Sequence, residues 1–353
     1  MKPNRNSVRG VVFAFAMALV AAACGGSESA ADPPTTVSTV AGTGAATTTE
    51  APTTTEAAGS FTETSDVIFR TIDGVDLLMD IYTPEGEGPW PVVVAFHGLD
   101  SRLKDSVDSV AIGEAAAGAG MMVFAASWIV FGPDLFPLTV DVFQQWKQTA
   151  NCAVAFAQQT ANDLGGDPAN TALYGFSAGI GPSVFASLEP TEEPIAGCAT
   201  DASATPPVGV VLGDGEYFLH TENFDPPFQE DLEAMRTEVA LMTDAGNWPA
   251  DLDAKFYLWV AECGTNGRPI GDPTDETGWL WQRDRDGSIY ADLDRLDQIE
   301  DGVFSYIDSG EVMALRLSAA GIDVTLDEYP GCHETLDKIP ALLGYLKDAV
   351  GAP

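Results

Sequence analysis

The residues best suited to chemistry in this 353-residue chain are Ser177 and His333. Tyr174 to Gly179 read YGFSAG, a serine with a glycine two positions away on each side, directly after a short apolar run. A serine hydroxyl is a weak nucleophile until a neighbouring base takes its proton. Glycines at those two places allow a sharp turn between a strand and a helix, which lifts the hydroxyl clear of the strand and sets it at the positive end of the following helix. A glycine-bounded loop serving only close packing is the plainer alternative. Histidine occurs three times, at 97, 220 and 333. His333, in EYPGCHETL, follows the last predicted strand. Strand ends of a parallel sheet share one rim, so His333 can meet Ser177 despite their separation in sequence. Together they describe acyl transfer, with Ser177 attacking a carbonyl and His333 taking the proton and returning it to the leaving group. His220 lies in irregular sequence and has no assigned role.

The elements around this pair alternate. Runs at 65–71 and 75–82 flank Asp73-Gly74 and predict a hairpin. WPVVVAFH, from Trp90 to His97, is too uniformly apolar to have a wet face and belongs in the middle of a sheet. A helix near 107–119, a strand at 121–128, a helix over 140–163, a strand at 171–175 and a helix after Ser177 follow. Further strands are predicted near 194–200 and at 255–261, then a helix at 309–320, a strand at 322–329 and a closing helix at 337–349. Such alternation specifies an α/β domain with a mainly parallel central sheet and helices on both faces. Residues 201–254 and 264–300 interrupt the pattern and read as cap or loop insertions, with Trp279 and Trp281 either lining a cleft or anchoring the insertion.

Before the domain come two segments of other character. Lys2, Arg5 and Arg9 precede a short apolar run from Val11 to Ala23, and small residues lead directly into Cys24. This junction resembles the lipobox of bacterial lipoproteins, which implies a signal peptide over 1–23, a lipidated Cys24 and a membrane-anchored, extracytoplasmic protein. An ordinary cleaved secretory signal is the alternative. Residues 24–60 are rich in Thr, Ala, Pro, Gly and Ser, cannot bury a core, and read as a disordered tether to a domain over 61–353.

Export bears on the remaining cysteines. In an oxidising compartment Cys152, Cys198, Cys263 and Cys332 form an even set, with no metal-site spacing. Cys263 ends one strand and Cys332 follows another, which pairs them; Cys152 with Cys198 is then the second bond by elimination. Buried thiols are the alternative. Asp and Glu number 53 against 16 Lys and Arg, for a net charge of −37. That charge excludes a nucleic-acid partner, since a phosphate backbone is repelled. The acids are spread along the chain, as on a heavily solvated surface compatible with a saline habitat.

With HGL at 97–99, GFSAG at 175–179 and YPGCHE at 329–334, the chain resembles the α/β-hydrolase superfamily from about residue 65 to 350. The nearest branches are secreted esterases, polyhydroxybutyrate depolymerases, and feruloyl or acetylxylan esterases. The resemblance implies a serine esterase acting on a small-molecule or polymeric ester, with no metal and no organic cofactor required. It places the oxyanion hole at the backbone N–H groups of Leu99 and Ala178, with His97 and Gly98 shaping the oxyanion loop. The HGGG form of that loop is absent, since HGLD stands there. EDGVFSYIDSGEVMALRL resembles the family segment that carries the triad acid, which makes Asp301 the acid; Glu262 and Asp272 are candidates by proximity to the strand ending near Ala261. Serine peptidases and amidases of the same fold share this machinery, and a ligand-binding or cell-wall-binding lipoprotein on an inactive scaffold is the non-enzymatic rival.

Overall fold

The computed structural model describes residues 59–99, 102–129, 140–191, 194–215, 248–249, 252–261, 281–283, 289–291, 306–329 and 336–352. All belong to the unit Glu56–Pro353. Strands β1 (Phe61–Ile72) and β2 (Val75–Pro84) form the predicted hairpin, with Asp73 and Gly74 both in left-handed backbone as a two-residue turn demands. The main sheet also contains β3 (Trp90–Phe96), β4 (Met122–Ala126), β5 (Gly166–Phe176), β6 (Gly209–Gly213), β7 (Lys255–Ala261) and β10 (Val324–Tyr329). Its order is β1-β2-β4-β3-β5-β6-β7-β10. Pairing is antiparallel from β1 to β2 and from β2 to β4, then parallel throughout the rest. A separate antiparallel pair, β8 (Trp281–Arg283) and β9 (Ile289–Ala291), lies within the predicted 264–300 insertion.

The uniform apolarity of β3 has the expected cause. Val92, Val94 and Phe96 enter one core cluster while Val93 and Ala95 enter the other, so alternate side chains are buried on opposite faces. Helices α1 (Val107–Gly118) and α5 (Ile339–Ala349) cover the second face through Ile112, Ala116, Leu342 and Leu346. The first face is covered by α2 (Val140–Leu164), α3 (Ile180–Leu188) and α4 (Tyr306–Ala319), which contribute Phe143, Ala150, Ile180, Val184, Met313 and Leu317. Ser106 starts α1 by accepting a hydrogen bond from the Ser109 N–H, which satisfies one of the open donors of the first turn.

One predicted strand is corrected. Residues 194–200 are not a strand of the sheet but a turn-containing segment joined to β1 by a single bridge, Arg70 to Cys198. The strand beside β5 is instead β6, which lies inside the stretch 201–254 read as an insertion, so the irregular sequence begins only after that strand. The reason lies in the neighbours. GVVLG is fully buried between β5 and β7, whereas IAGCAT is drawn against β1 by hydrogen bonds from Thr71 N–H to Gly197 O and from Ala199 N–H to Phe69 O. A disulfide from Cys198 to Cys152 of α2, with S–S 2.06 Å, holds the same segment.

Candidate active site

β5 ends with Phe176 in extended backbone, and Ser177 immediately turns to φ +54° before one 3-10 turn leads into α3. Left-handed backbone costs a residue with a side chain on the order of 1–3 kcal/mol and persists where the surroundings over-determine it. Here the surroundings are backbone. A Cβ on Gly175 would lie 2.3 Å from the Gly179 carbonyl oxygen and 2.4 Å from Ser183 Oγ. One on Gly179 would lie 2.2 Å from the Phe96 carbonyl oxygen, at the end of β3. Both glycines are therefore demanded by space, and the turn closes so tightly that Ser177 remains only partly buried at the rim. Ser183 reinforces it by donating to the Gly179 carbonyl at 3.0 Å.

The loop after β3 closes on the serine from one side. Phe96 pairs with Gly175, and a Cβ on Gly98 would lie 3.1 Å from Ser177 Cβ. His97 is 2 % exposed. Its Nδ1 is 2.6 Å from the Gly98 carbonyl, which only accepts, so that nitrogen carries the hydrogen. Trp128 Nε1 donates to the His97 carbonyl at 2.8 Å, and the two rings lie 5.8 Å apart. Leu99 is 55 % exposed at the mouth of this rim.

From the other side comes the turn after β6. Phe176 pairs with Gly213, so Asp214 follows beside Ser177. Asp214 has φ +43°, is fully enclosed, and donates its N–H to the Trp259 carbonyl at 2.9 Å. A Cβ on Gly215 would lie 2.4 Å from the Ser177 carbonyl oxygen. Beneath this rim Phe176 stacks on Trp259 at 6.0 Å, and Trp259 meets Tyr329 edge-on at 5.4 Å. That row of aromatics joins the ends of β5, β7 and β10. Tyr174, under the turn, is enclosed, and burial followed by the charge of Asp108 pushes its hydroxyl well above the ordinary phenol value, so it stays neutral.

No protein-family model and no curated protein matches this sequence. Solved structures do. The propionate-bound form of a thermophilic esterase, esterase 2 of the planctomycete Thermogutta terrifontis, superposes with TM-score 0.54 at 17% identity, over 82% of this chain and 93% of that one. Its native form gives 0.54 at 18% over 83% and 93%, and its form phosphoramylated by tabun gives 0.53 at 17% over 83% and 95%. With the mainly parallel eight-stranded sheet, these likenesses decide the architecture. This chain has the α/β-hydrolase fold.

Ser177 stands at the sharp turn between β5 and α3. Of the residues singled out from sequence, the structure brings Ser177, Ala178, His97, Gly98 and Leu99 to one rim. It bonds Cys152 to Cys198 away from that rim. His333, Asp301, Glu262, Asp272, Cys263, Cys332, His220 and Cys24 lie outside the described residues. Asp214 was not anticipated. Its signal in the sequence is an acid between an apolar run and a glycine in VVLGDG, which a strand placed at 194–200 masks.

Proposed function

We propose that this protein is a serine hydrolase that cleaves carboxylic esters through an acyl-enzyme intermediate. The observation that carries the reading is Ser177 itself: a partly exposed hydroxyl residue at φ +54°, with Gly175, Gly179 and Gly98 all pressed against its turn. Ser177 Oγ attacks the ester carbonyl, and His333 takes its proton and passes it to the departing alcohol. The backbone N–H groups of Ala178 and Leu99 receive the oxyanion. Water, activated by the same imidazole, then releases the acid. A carboxylate balances the imidazolium, and the resemblance in sequence points to Asp301. Short acyl esters are the first substrates to try, because the Thermogutta terrifontis enzyme, named an esterase, was solved with propionate and with butyrate bound.

The protein works outside the cytoplasm on a lipid anchor at Cys24. The Cys152–Cys198 disulfide supports this reading, since such bonds persist in oxidising compartments. Mass spectrometry of membrane-extracted protein is expected to find diacylglycerol on an N-terminal Cys24; an unmodified terminus elsewhere rejects it.

A panel of short and long acyl esters, amides and insoluble polyesters tests the activity, together with labelling by a fluorophosphonate. Ester turnover and labelling that both vanish in Ser177→Ala support the proposal. Amide turnover exceeding ester turnover moves the assignment to a peptidase or amidase, and a protein that neither turns over nor labels is a binding scaffold.

A further inference from the structure

We infer that Trp128 is a positioning residue for ester cleavage: its indole fixes both peptide planes of the loop after β3 that closes on Ser177. The inference deepens the serine-hydrolase reading above and rests on it.

The loop needs fixing because of its own sequence. Gly98 passes so near the nucleophile turn that a Cβ there would lie 3.1 Å from Ser177 Cβ and 3.4 Å from the Phe176 carbonyl oxygen. Glycine makes that approach without crowding, but it restrains φ and ψ less than any other residue. N–H donors on such a loop serve a developing oxyanion only if they are already aimed when the charge appears. Whatever aims them must come from outside Gly98.

Two hydrogen bonds do so, one on each side of its Cα. Trp128 Nε1 donates to the His97 carbonyl at 2.8 Å. A peptide is planar and trans, so the Gly98 N–H points opposite to that carbonyl and is set with it. His97 Nδ1 donates to the Gly98 carbonyl at 2.6 Å, which sets the Leu99 N–H in the same way. The second bond depends on Trp128 too, because the imidazole that makes it lies against the Trp128 ring, with centroids 5.8 Å apart and planes at 33°. From the other side the His97 carbonyl meets the nucleophile turn, where a Cβ on Gly179 would lie 2.8 Å from its oxygen. That carbonyl is thus held between Trp128 and the turn that carries Ser177.

Trp128 is itself well anchored. It is 2 % exposed, and Trp146 of α2 packs edge-on against it at 5.3 Å. Its neighbour Ser127 donates its N–H to the Leu78 carbonyl of β2 at 2.9 Å, and Ser127 Oγ accepts the Lys104 N–H at 3.4 Å. Two consecutive residues after β4 therefore hold the loop at His97 and again at Lys104. A buried indole N–H requires some acceptor. Packing alone does not require that the acceptor be the peptide beside Ser177, nor that the same ring brace the histidine.

The test uses the full protein with Trp128→Phe, which keeps an aromatic ring and removes the N–H. Trp146→Phe is the control, since it alters packing on Trp128 and leaves the bond to the His97 carbonyl in place. Both kcat and KM are measured on a short-chain ester, per serine labelled by fluorophosphonate. Affinity for a trifluoromethyl ketone is measured as well, because its serine adduct carries the oxyanion. Trp128→Phe is expected to lower kcat about 10²-fold, the scale of a misdirected oxyanion donor, with KM little changed. Affinity for the ketone falls by the same factor, because the loop acts on the tetrahedral state and not on bound ester. Trp146→Phe keeps the wild-type kcat. A purely structural Trp128 would lower the melting temperature yet leave kcat per labelled serine and ketone affinity as they were, and that result overturns the inference. An equal kcat loss in Trp146→Phe, or a loss confined to KM, overturns it too. If Trp128→Phe does not fold, the benzothiophene analogue of tryptophan placed at position 128 keeps the double ring and lacks the N–H. The same kcat and ketone losses then support the inference, and wild-type values or failure to fold overturn it. Wild-type protein that neither turns over esters nor labels overturns the serine-hydrolase reading itself, a failure distinct from all of these.

Discussion

Around Lys104 and around Ser177 the chain holds non-glycine residues in left-handed backbone: Asp66 and Leu103 at the first, Ser177 and Asp214 at the second. The two regions use that strain differently. Lys104 is enclosed, and its ammonium is ringed by Asp105 at 2.8 Å, Asp80 at 2.9 Å and Asp66 at 3.0 Å. Asp80 is buried too, and its second oxygen accepts the Asp66 N–H at 2.9 Å. Burial alone draws the ammonium down, but hydrogen bonds to Asp105, Asp80 and Asp66 outweigh it and hold Lys104 above the ordinary lysine value. The cluster is closed on itself, charge against charge, and it ties β1 and β2 to the turn before α1. At Ser177 the constraint comes from backbone packed against glycines, and it leaves a hydroxyl at the surface of the rim. Strain by itself thus marks no active site; what the strained residue is turned toward does.

The largest expected effect separates the two regions cleanly. Ser177→Ala is expected to lower kcat on the order of 10⁶-fold, as loss of a nucleophilic serine does, while the melting temperature stays near that of the wild type. A variant that retains hydrolysis breaks the comparison. Lys104→Met should do the reverse. It strands the buried Asp80 carboxylate, so denaturant unfolding is expected to show a loss of about 3–5 kcal/mol, with kcat/KM of the folded protein unchanged. The sign with pH follows from the raised lysine value. The wild-type advantage is complete at neutral pH, below the unfolded lysine value, and fades only as pH rises through the folded one.

A third region sharpens the same point. The Cys152–Cys198 bond closes 46 residues of chain, and its removal in the Cys152→Ala/Cys198→Ala protein is expected to cost about 2–4 kcal/mol in denaturant unfolding. Ester turnover at low temperature should persist, because the bond lies off the rim. The smallest effect belongs to the outer acids of the Lys104 cluster. Asp66 and Asp105 are 67% and 68% exposed, against 3% for Asp80. Asp66→Asn and Asp105→Asn should each cost no more than about 1 kcal/mol; a larger loss by thermal unfolding would show that the cluster is not organised around Asp80.

Much of the molecule was legible in the order of its residues, because the constraints there are local. GFSAG shows its two glycines within five residues of chain; the space that demands Gly175 is made by the same turn, while the end of β3 makes the space that demands Gly179. The alternation of WPVVVAFH with helical stretches announced a covered parallel sheet for the same reason, since a strand buried on both faces has no polar side to show. Tertiary structure decided the rest. IAGCAT and GVVLG are both short and apolar, and only the neighbours β5 and β7 select the second as a strand. Elimination pointed to Cys152 with Cys198, and the packing of α2 and the 194–200 segment against β1 is what brings the two together. Asp214 reads as one acid among 53 Asp and Glu. It becomes a neighbour of Ser177 through the register of two parallel strands, a long-range relation that no local pattern encodes.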